Sequence, residues 1–193
     1  MSGFEIKNLA NPLYFEENVL SPHSDHKYYG SEAELASGCS SFKYSLNGLW
    51  HIHVARNLAE RPEGFEVSDY DCRHWDTIAV PAHIQMEGYG KPHYTNTTYP
   101  WDGHEAIVPG ELPQENPVAS YVKYFAVPEG WQDLRISFQG AETALAVWLN
   151  GHFVGYSEDS FTPSDFDLTP YVQAGENKLA VQVFRFASGS WLE

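Results

Sequence analysis

The dipeptide Asn150-Gly151 narrows most sharply what this chain can fold into. It lies between Val147-Trp148-Leu149 and His152-Phe153-Val154. Both central positions of a two-residue type I′ turn need positive φ, which Asn and Gly tolerate best. The pattern therefore predicts a tight β-hairpin, and a hairpin needs further strands to bury its apolar face. The second strand leaves through Gly155 into Ser157-Glu158-Asp159-Ser160-Phe161-Thr162-Pro163, a stretch rich in acids and hydroxyls. A stiff hairpin feeding a polar loop is suited to presenting side chains to a ligand, so Asp159 is the first functional candidate.

The same period-two signal recurs along the chain. Trp50, Ile52 and Val54 alternate with His51 and His53, and Ile78 and Val80 lead into Pro81. Strands are expected over residues 121–127, 134–138 and 143–149. A last strong one places Leu179, Val181 and Val183 opposite Ala180, Gln182 and Phe184. Turn signals recur at intervals of roughly eight to twelve residues and no long helix is indicated, so the expected class is all-β. The architecture expected over residues 42–193 is a sandwich of about eight strands in jelly-roll order. Residues 1–41 show no clean period. Asn11-Pro12 and Ser21-Pro22 mark turns, and residues 32–36 can form one helical turn. This segment reads as an extended arm lying on a neighbour, against a competing reading of disorder in its first ten residues.

Charge excludes some partners. Acids outnumber bases 26 to 11, for a formal charge of −15, which repels phosphate backbones and anionic lipid. Nucleic acid and membrane surfaces are therefore not expected partners, while neutral or cationic ligands and metal ions stay open. The rings of 6 Trp, 12 Tyr and 11 Phe suit sheet cores and carbohydrate surfaces alike. Cys39 and Cys72 make neither a disulfide framework nor a zinc pattern, so free thiols are expected. No apolar run approaches membrane-spanning length, and charged residues interrupt residues 4–10, so a cytoplasmic protein is expected.

Few residues suggest chemistry. The loop from Gly88 to Gly103 is long, irregular and dense in Tyr, Thr and Asn. Within it, Asn96 carries both a donor and an acceptor, which suits vicinal hydroxyls, although a turn asparagine bonding its own backbone explains it equally well. His23-Ser24-Asp25-His26 has metal-binding residue types, but Pro22 favours hydrogen-bonded loop histidines. His51 and His53 read as a solvated strand face. A glycosidase needs two carboxyl groups about 5 to 9 Å apart across one bond, whereas adjacent Glu158 and Asp159 at a strand end point apart. No Gly-x-Ser-x-Gly elbow, phosphate loop or Cys/His nucleophile pair is present. The residues support a binding surface more readily than an active site.

Several longer motifs carry a resemblance. Ser45-Leu46-Asn47-Gly48-Leu49-Trp50, Val80-Pro81, Tyr94-Thr95-Asn96-Thr97-Thr98-Tyr99-Pro100 and Glu115-Asn116-Pro117 resemble the opening domain of β-galactosidases of glycoside hydrolase family two. So do Trp148-Leu149-Asn150-Gly151, Asp159-Ser160, Pro163-Ser164-Asp165-Phe166-Asp167-Leu168 and Gly175-Glu176-Asn177, in the same order. Val19-Leu20-Ser21-Pro22-His23-Ser24-Asp25-His26 looks like the N-terminal arm of those enzymes. Departures exist: His83 and Ile84 stand where many members carry Asn and Trp.

The resemblance implies retaining hydrolysis of terminal β-D-galactosides such as lactose. It implies a galactose-binding-domain-like jelly-roll β-sandwich followed by further sandwiches and a TIM barrel that carries the catalytic Glu pair and a magnesium site. By that resemblance Asn96 and Asp159 contact galactose, and Asp159 shares a sodium ion. No catalytic residue is expected within residues 1–193, because the resemblance places the next sandwich after Ser190-Trp191-Leu192-Glu193. The expected partners are the sugar and the remaining domains of a parent enzyme, and a homo-oligomer stays open. A free-standing lectin-like module is the main alternative. A relative acting on glucuronides or mannosides is a weaker one, because the Tyr-Thr-Asn-x-x-Tyr-Pro stretch favours galactose.

Overall fold

The computed structural model describes residues 3–24, 26–92 and 97–192. Among them, nine strands pair antiparallel in two sheets. The strands are β1 (Glu16–Glu17), β2 (Gly48–Ala55), β3 (Asp76–Val80), β4 (Val118–Ala126), β5 (Arg135–Phe138), β6 (Ala144–Leu149), β7 (His152–Ser157), β8 (Ser164–Asp167) and β9 (Glu176–Phe184). The larger sheet runs β1-β7-β6-β9-β4-β2-β3, and the smaller pairs β5 with β8. One short helix, α1 (Glu32–Ser37), occurs in the arm, where Ser31 caps it. The structure is thus the all-β sandwich that the alternating pattern predicts. β4 begins three residues before the expected stretch, because Val118 and Ala119 continue the pairing with β2 and β9.

The β6–β7 hairpin forms as expected. Asn150 and Gly151 have φ of 53° and 82°, and Leu149 faces His152 across the turn. Asn150 does more than turn the chain. Its Nδ2 donates to the Tyr171 carbonyl at 2.9 Å and to Asn177 Oδ1 at 2.8 Å, and its Oδ1 accepts the Lys178 N–H at 2.9 Å. The hairpin tip is thereby fastened to the turn that opens β9.

The core lies between the sheets. Ile52, Leu145, Val147, Leu149 and Val154 of the larger sheet meet Ile136 and Phe166 of the smaller. The layers touch closely at Gly155. A Cβ there would overlap the Phe166 ring and lie 2.7 Å from the Glu17 carbonyl oxygen. A register shift between Val147 and Trp148 places Gly155 opposite Val147.

The arm lies on this chain's own sheet. β1 pairs with β7, and Asn18 Nδ2 donates to the Val154 carbonyl at 3.0 Å. Leu9 is fully buried. The Phe4 ring packs 5.0 Å from Tyr156 and 5.5 Å from Phe184, and Tyr14 stacks on Tyr156 at 5.2 Å. Disorder does not describe the stretch from Phe4 onward, because its apolar side chains complete a second core around Tyr156.

A buried cation organises the opposite side. Lys178 Nζ donates to the carbonyls of Phe65, Val67 and Tyr70 at 2.6, 2.7 and 2.6 Å. Burial pulls its pKa down, yet three carbonyl acceptors satisfy all three ammonium protons. Cys72 lies buried beside it and Cys39 is exposed, and both are free.

The close approach at Gly155 predicts that Gly155→Ala lowers unfolding stability by about 1–3 kcal/mol through overpacking. Urea denaturation should show a lower midpoint with an unchanged slope. An unchanged midpoint would mean the two layers tolerate separation there.

Candidate functional site

Asp159 sits in the six-residue loop 158–163 that joins β7 to β8. Both ends of that loop are buried, and Ser164 Oγ donates to Ser157 Oγ at 2.9 Å across its base. Asp159 Oδ1 accepts the backbone N–H groups of Phe161 at 2.9 Å and Thr162 at 3.0 Å. Its Oδ2 accepts the Thr162 hydroxyl in a short hydrogen bond. The Asp159 N–H donates in turn to Ser157 Oγ at 3.3 Å. The Thr162 hydroxyl, then the Phe161 and Thr162 N–H groups, hold the Asp159 carboxyl below the ordinary carboxylate range. Each carboxylate oxygen accepts about two hydrogen bonds. Oδ1 is therefore filled, and Oδ2 keeps one open direction on an exposed residue. That oxygen can take one sugar hydroxyl or contribute one ligand to a hard cation such as sodium.

Glu158 turns the other way, as expected for adjacent residues at a strand end. Its Oε1 accepts the Tyr156 hydroxyl at 2.6 Å. Its Oε2 accepts the Ser188 hydroxyl at 2.9 Å and the Gly189 N–H at 3.1 Å. Burial pushes the Glu158 pKa up, while these three donors oppose the rise. The two carboxyl groups thus have separate tasks: Asp159 stays ionised at the surface, and Glu158 staples β7 to the 3₁₀ turn Ser188–Trp191.

A cleft of about 520 Å³ opens beside them, walled by Pro12 and Phe15 of the arm, Pro109 and Gly110, Ser157 to Asp159, Ser188 and Gly189, and Trp191 and Leu192. Aromatic contacts fix one wall. Tyr99 stacks on Trp101 at 5.2 Å with planes 2° apart, and Trp191 meets both edge-on at 5.0 and 4.8 Å. The Tyr99 hydroxyl donates to the Trp191 carbonyl at 3.1 Å, and the Trp191 indole N–H donates to the Glu111 carbonyl at 3.0 Å. Sequence reading missed both this cluster and the Glu158 staple. Its aromatic residues are visible in the sequence, but nothing in their spacing shows that they meet.

Asn96, the other expected sugar contact, lies outside the described residues. His23 hydrogen-bonds within the fold, with Nε2 2.5 Å from Asp165 Oδ2 and Nδ1 3.1 Å from the Ser24 carbonyl. Asp25 lies outside the described residues. His51 packs edge-on to Tyr124 and His53 against Trp75. Among the described residues, no group of three or more His, Cys, Asp or Glu side chains is arranged to hold a metal ion. Nor is any helix among them long and apolar enough to cross a membrane.

Residues 43–193 match the family model for the glycosyl hydrolases family 2 sugar binding domain. The chain belongs to this family. It is 56% identical over 183 residues to a β-galactosidase of Halalkalibacterium halodurans, covering 93% of this chain and 18% of that protein. It is 46% identical to the β-galactosidase large subunit of Leuconostoc lactis, covering 96% of this chain and 32% of that one. The chain therefore spans less than a third of the curated relatives it matches. A solved Bacteroides uniformis β-glucuronidase 2 shares the fold at a TM-score of 0.52 and 20% identity, covering 74% of this chain and 14% of that one. The family 2 sugar-binding domain is thus a part of larger hydrolases.

The raised Glu158 pKa has a definite sign for stability. The fold favours the protonated form, so this group's contribution is fully present below its ordinary value of 4.5 and is lost as pH rises through the raised folded value. The stability of Glu158→Gln relative to wild type should therefore increase as pH rises through that window. Urea unfolding of both proteins at a series of pH values checks this, and a difference that stays flat with pH would contradict it.

Proposed function

We propose that this chain is the N-terminal sugar-binding part of a retaining, cytoplasmic β-galactosidase that hydrolyses terminal β-D-galactosides of the lactose type. The observation that carries the reading is Asp159: an ionised carboxylate held by its own loop, with one oxygen direction open beside an aromatic-walled cleft. Its high identity to β-galactosidases supports the same substrate class. In this reading Asp159 Oδ2 accepts a galactose hydroxyl or contributes one oxygen to a sodium ion, and Asn96 adds a second sugar contact. A site built to hydrogen-bond a hydroxyl rejects sugars that leave it unpaired. The catalytic Glu pair and magnesium belong to a barrel outside residues 1–193, and the strand order is read as a jelly roll.

A lectin-like use of the same loop is the second reading. It is favoured by the hydrogen bonds that Asp159 makes with Ser157, Phe161 and Thr162 of its own loop.

The purified chain should not turn over a chromogenic β-galactoside. Methyl β-D-galactoside should bind weakly, shifting the amide resonances of loop 158–163. Asp159→Ala should remove those shifts. Binding should stay flat with pH above the ordinary aspartate value of 3.8, because the folded pKa lies below it. Turnover by this chain that is lost on Asp159→Ala would place the chemistry here instead.

A further inference from the structure

We propose that the cleft beside the β2–β3 edge of the larger sheet is a saccharide-binding site for a neutral pyranose, whether or not Asp159 also binds sugar. The cleft has a volume of about 520 Å³ and opens between β2 and the 62–75 segment, and β2 lies four strands away from β7 across the sheet. His53, Tyr70, His74, Trp75, Asp76 and Tyr89 line it. Its aromatic wall is held firmly. Trp75 packs on the buried Phe65 ring at 5.7 Å, Tyr70 meets Trp75 edge-on at 6.3 Å, and His53 lies 5.4 Å from it. Lys178 fastens the segment behind these rings through the carbonyls of Phe65, Val67 and Tyr70. Trp75 is half-buried, so part of its indole is both fixed and open to the cleft.

The polar side chains around that wall are left with capacity to spare. Among the described residues, neither the His53 and His74 imidazoles nor the Tyr70 hydroxyl has a hydrogen-bond partner. The Asp76 carboxylate accepts the Tyr89 hydroxyl at 3.4 Å, and two carboxylate oxygens can accept about four such bonds. The cleft therefore offers donors and acceptors together, next to an indole. A pyranose asks for that combination, because each hydroxyl on its rim both donates and accepts while its C–H groups need an apolar surface. Other ligand classes fit less well. Asp76 and the formal charge of −15 oppose an anion. Among the described residues no group of three or more His, Cys, Asp or Glu is arranged to hold a metal ion. An organic cation would use the rings and Asp76 but would leave the imidazole N–H donors unused.

An NMR titration of the 193-residue chain with lactose tests this, carried out on wild type and on Asp159→Ala. In both proteins the Trp75 indole N–H and the amides of residues 53 and 74–76 should shift and saturate. His74→Ala and Asp76→Ala should each weaken that response by about five- to tenfold. Trp75→Ala should abolish it. Trp75 supports Phe65, so its variant can disturb the fold; the His74 and Asp76 side chains are exposed, and their variants carry the test by themselves. Shifts confined to loop 158–163, with Trp75 unmoved, would overturn the inference and leave the Asp159 reading standing. A Trp75 response that His74→Ala and Asp76→Ala both leave unchanged would overturn it as well. So would a response to tetramethylammonium chloride in the absence of one to lactose, which would make the cleft a site for organic cations.

Discussion

The Phe166 ring resting on Gly155 is the contact on which the rest of this structure depends. A larger residue at position 155 would force the two sheets apart, because the phenyl ring fills the place of the missing side chain. That proximity draws β8 under β7. It leaves only a short loop between their ends, and the shortness makes the loop stiff. Tyr156, next in the strand, points to the other face, where Phe4, Tyr14 and Leu9 close over it. β7 is thus gripped from both sides, by a layer of its own sandwich and by the arm.

The electrostatics of the site follow from that grip. Two adjacent acids emerge where β7 ends, and their surroundings separate them. Glu158 is drawn inward against Tyr156, Ser188 and Gly189, where leaving water favours its neutral form. Asp159 is carried outward into a turn whose N–H groups favour its charged form. One strand end therefore yields a structural carboxyl and a solvent-facing carboxylate from neighbouring positions. Neither can serve the other as an acid–base partner.

Much of this was legible in the residues. Asn150-Gly151 gave the hairpin because positive φ at both positions has few solutions. The alternation in residues 48–55 and 176–184 gave the strands because one face of each is buried. Asp159 was legible as a loop acid at a strand exit, but its three internal hydrogen bonds were not, since they depend on the loop's backbone path. The resting place of the arm was not legible for a related reason. Its apolar residues follow no regular period, and what they cover is a surface made by residues far along the chain. Phe4 meets Tyr156 and Phe184, and His23 meets Asp165. Such pairings leave no local trace.

The strand order also dictates how the molecule must come together. β9, the last strand in sequence, lies in the middle of the larger sheet, with β4 on one side and β6 on the other. Without it, β2, β3 and β4 would make one ribbon and β1, β7 and β6 another, each with a bare edge of unpaired amides facing a gap. Lys178, which secures the 65–70 loop, travels on that same strand. The sheet cannot be continuous before β9 has been made, and the edges of β4 and β6 that it covers are the adhesive ones. The final strand works as a keystone: it joins the two ribbons, covers both edges and locks a distant loop in a single step.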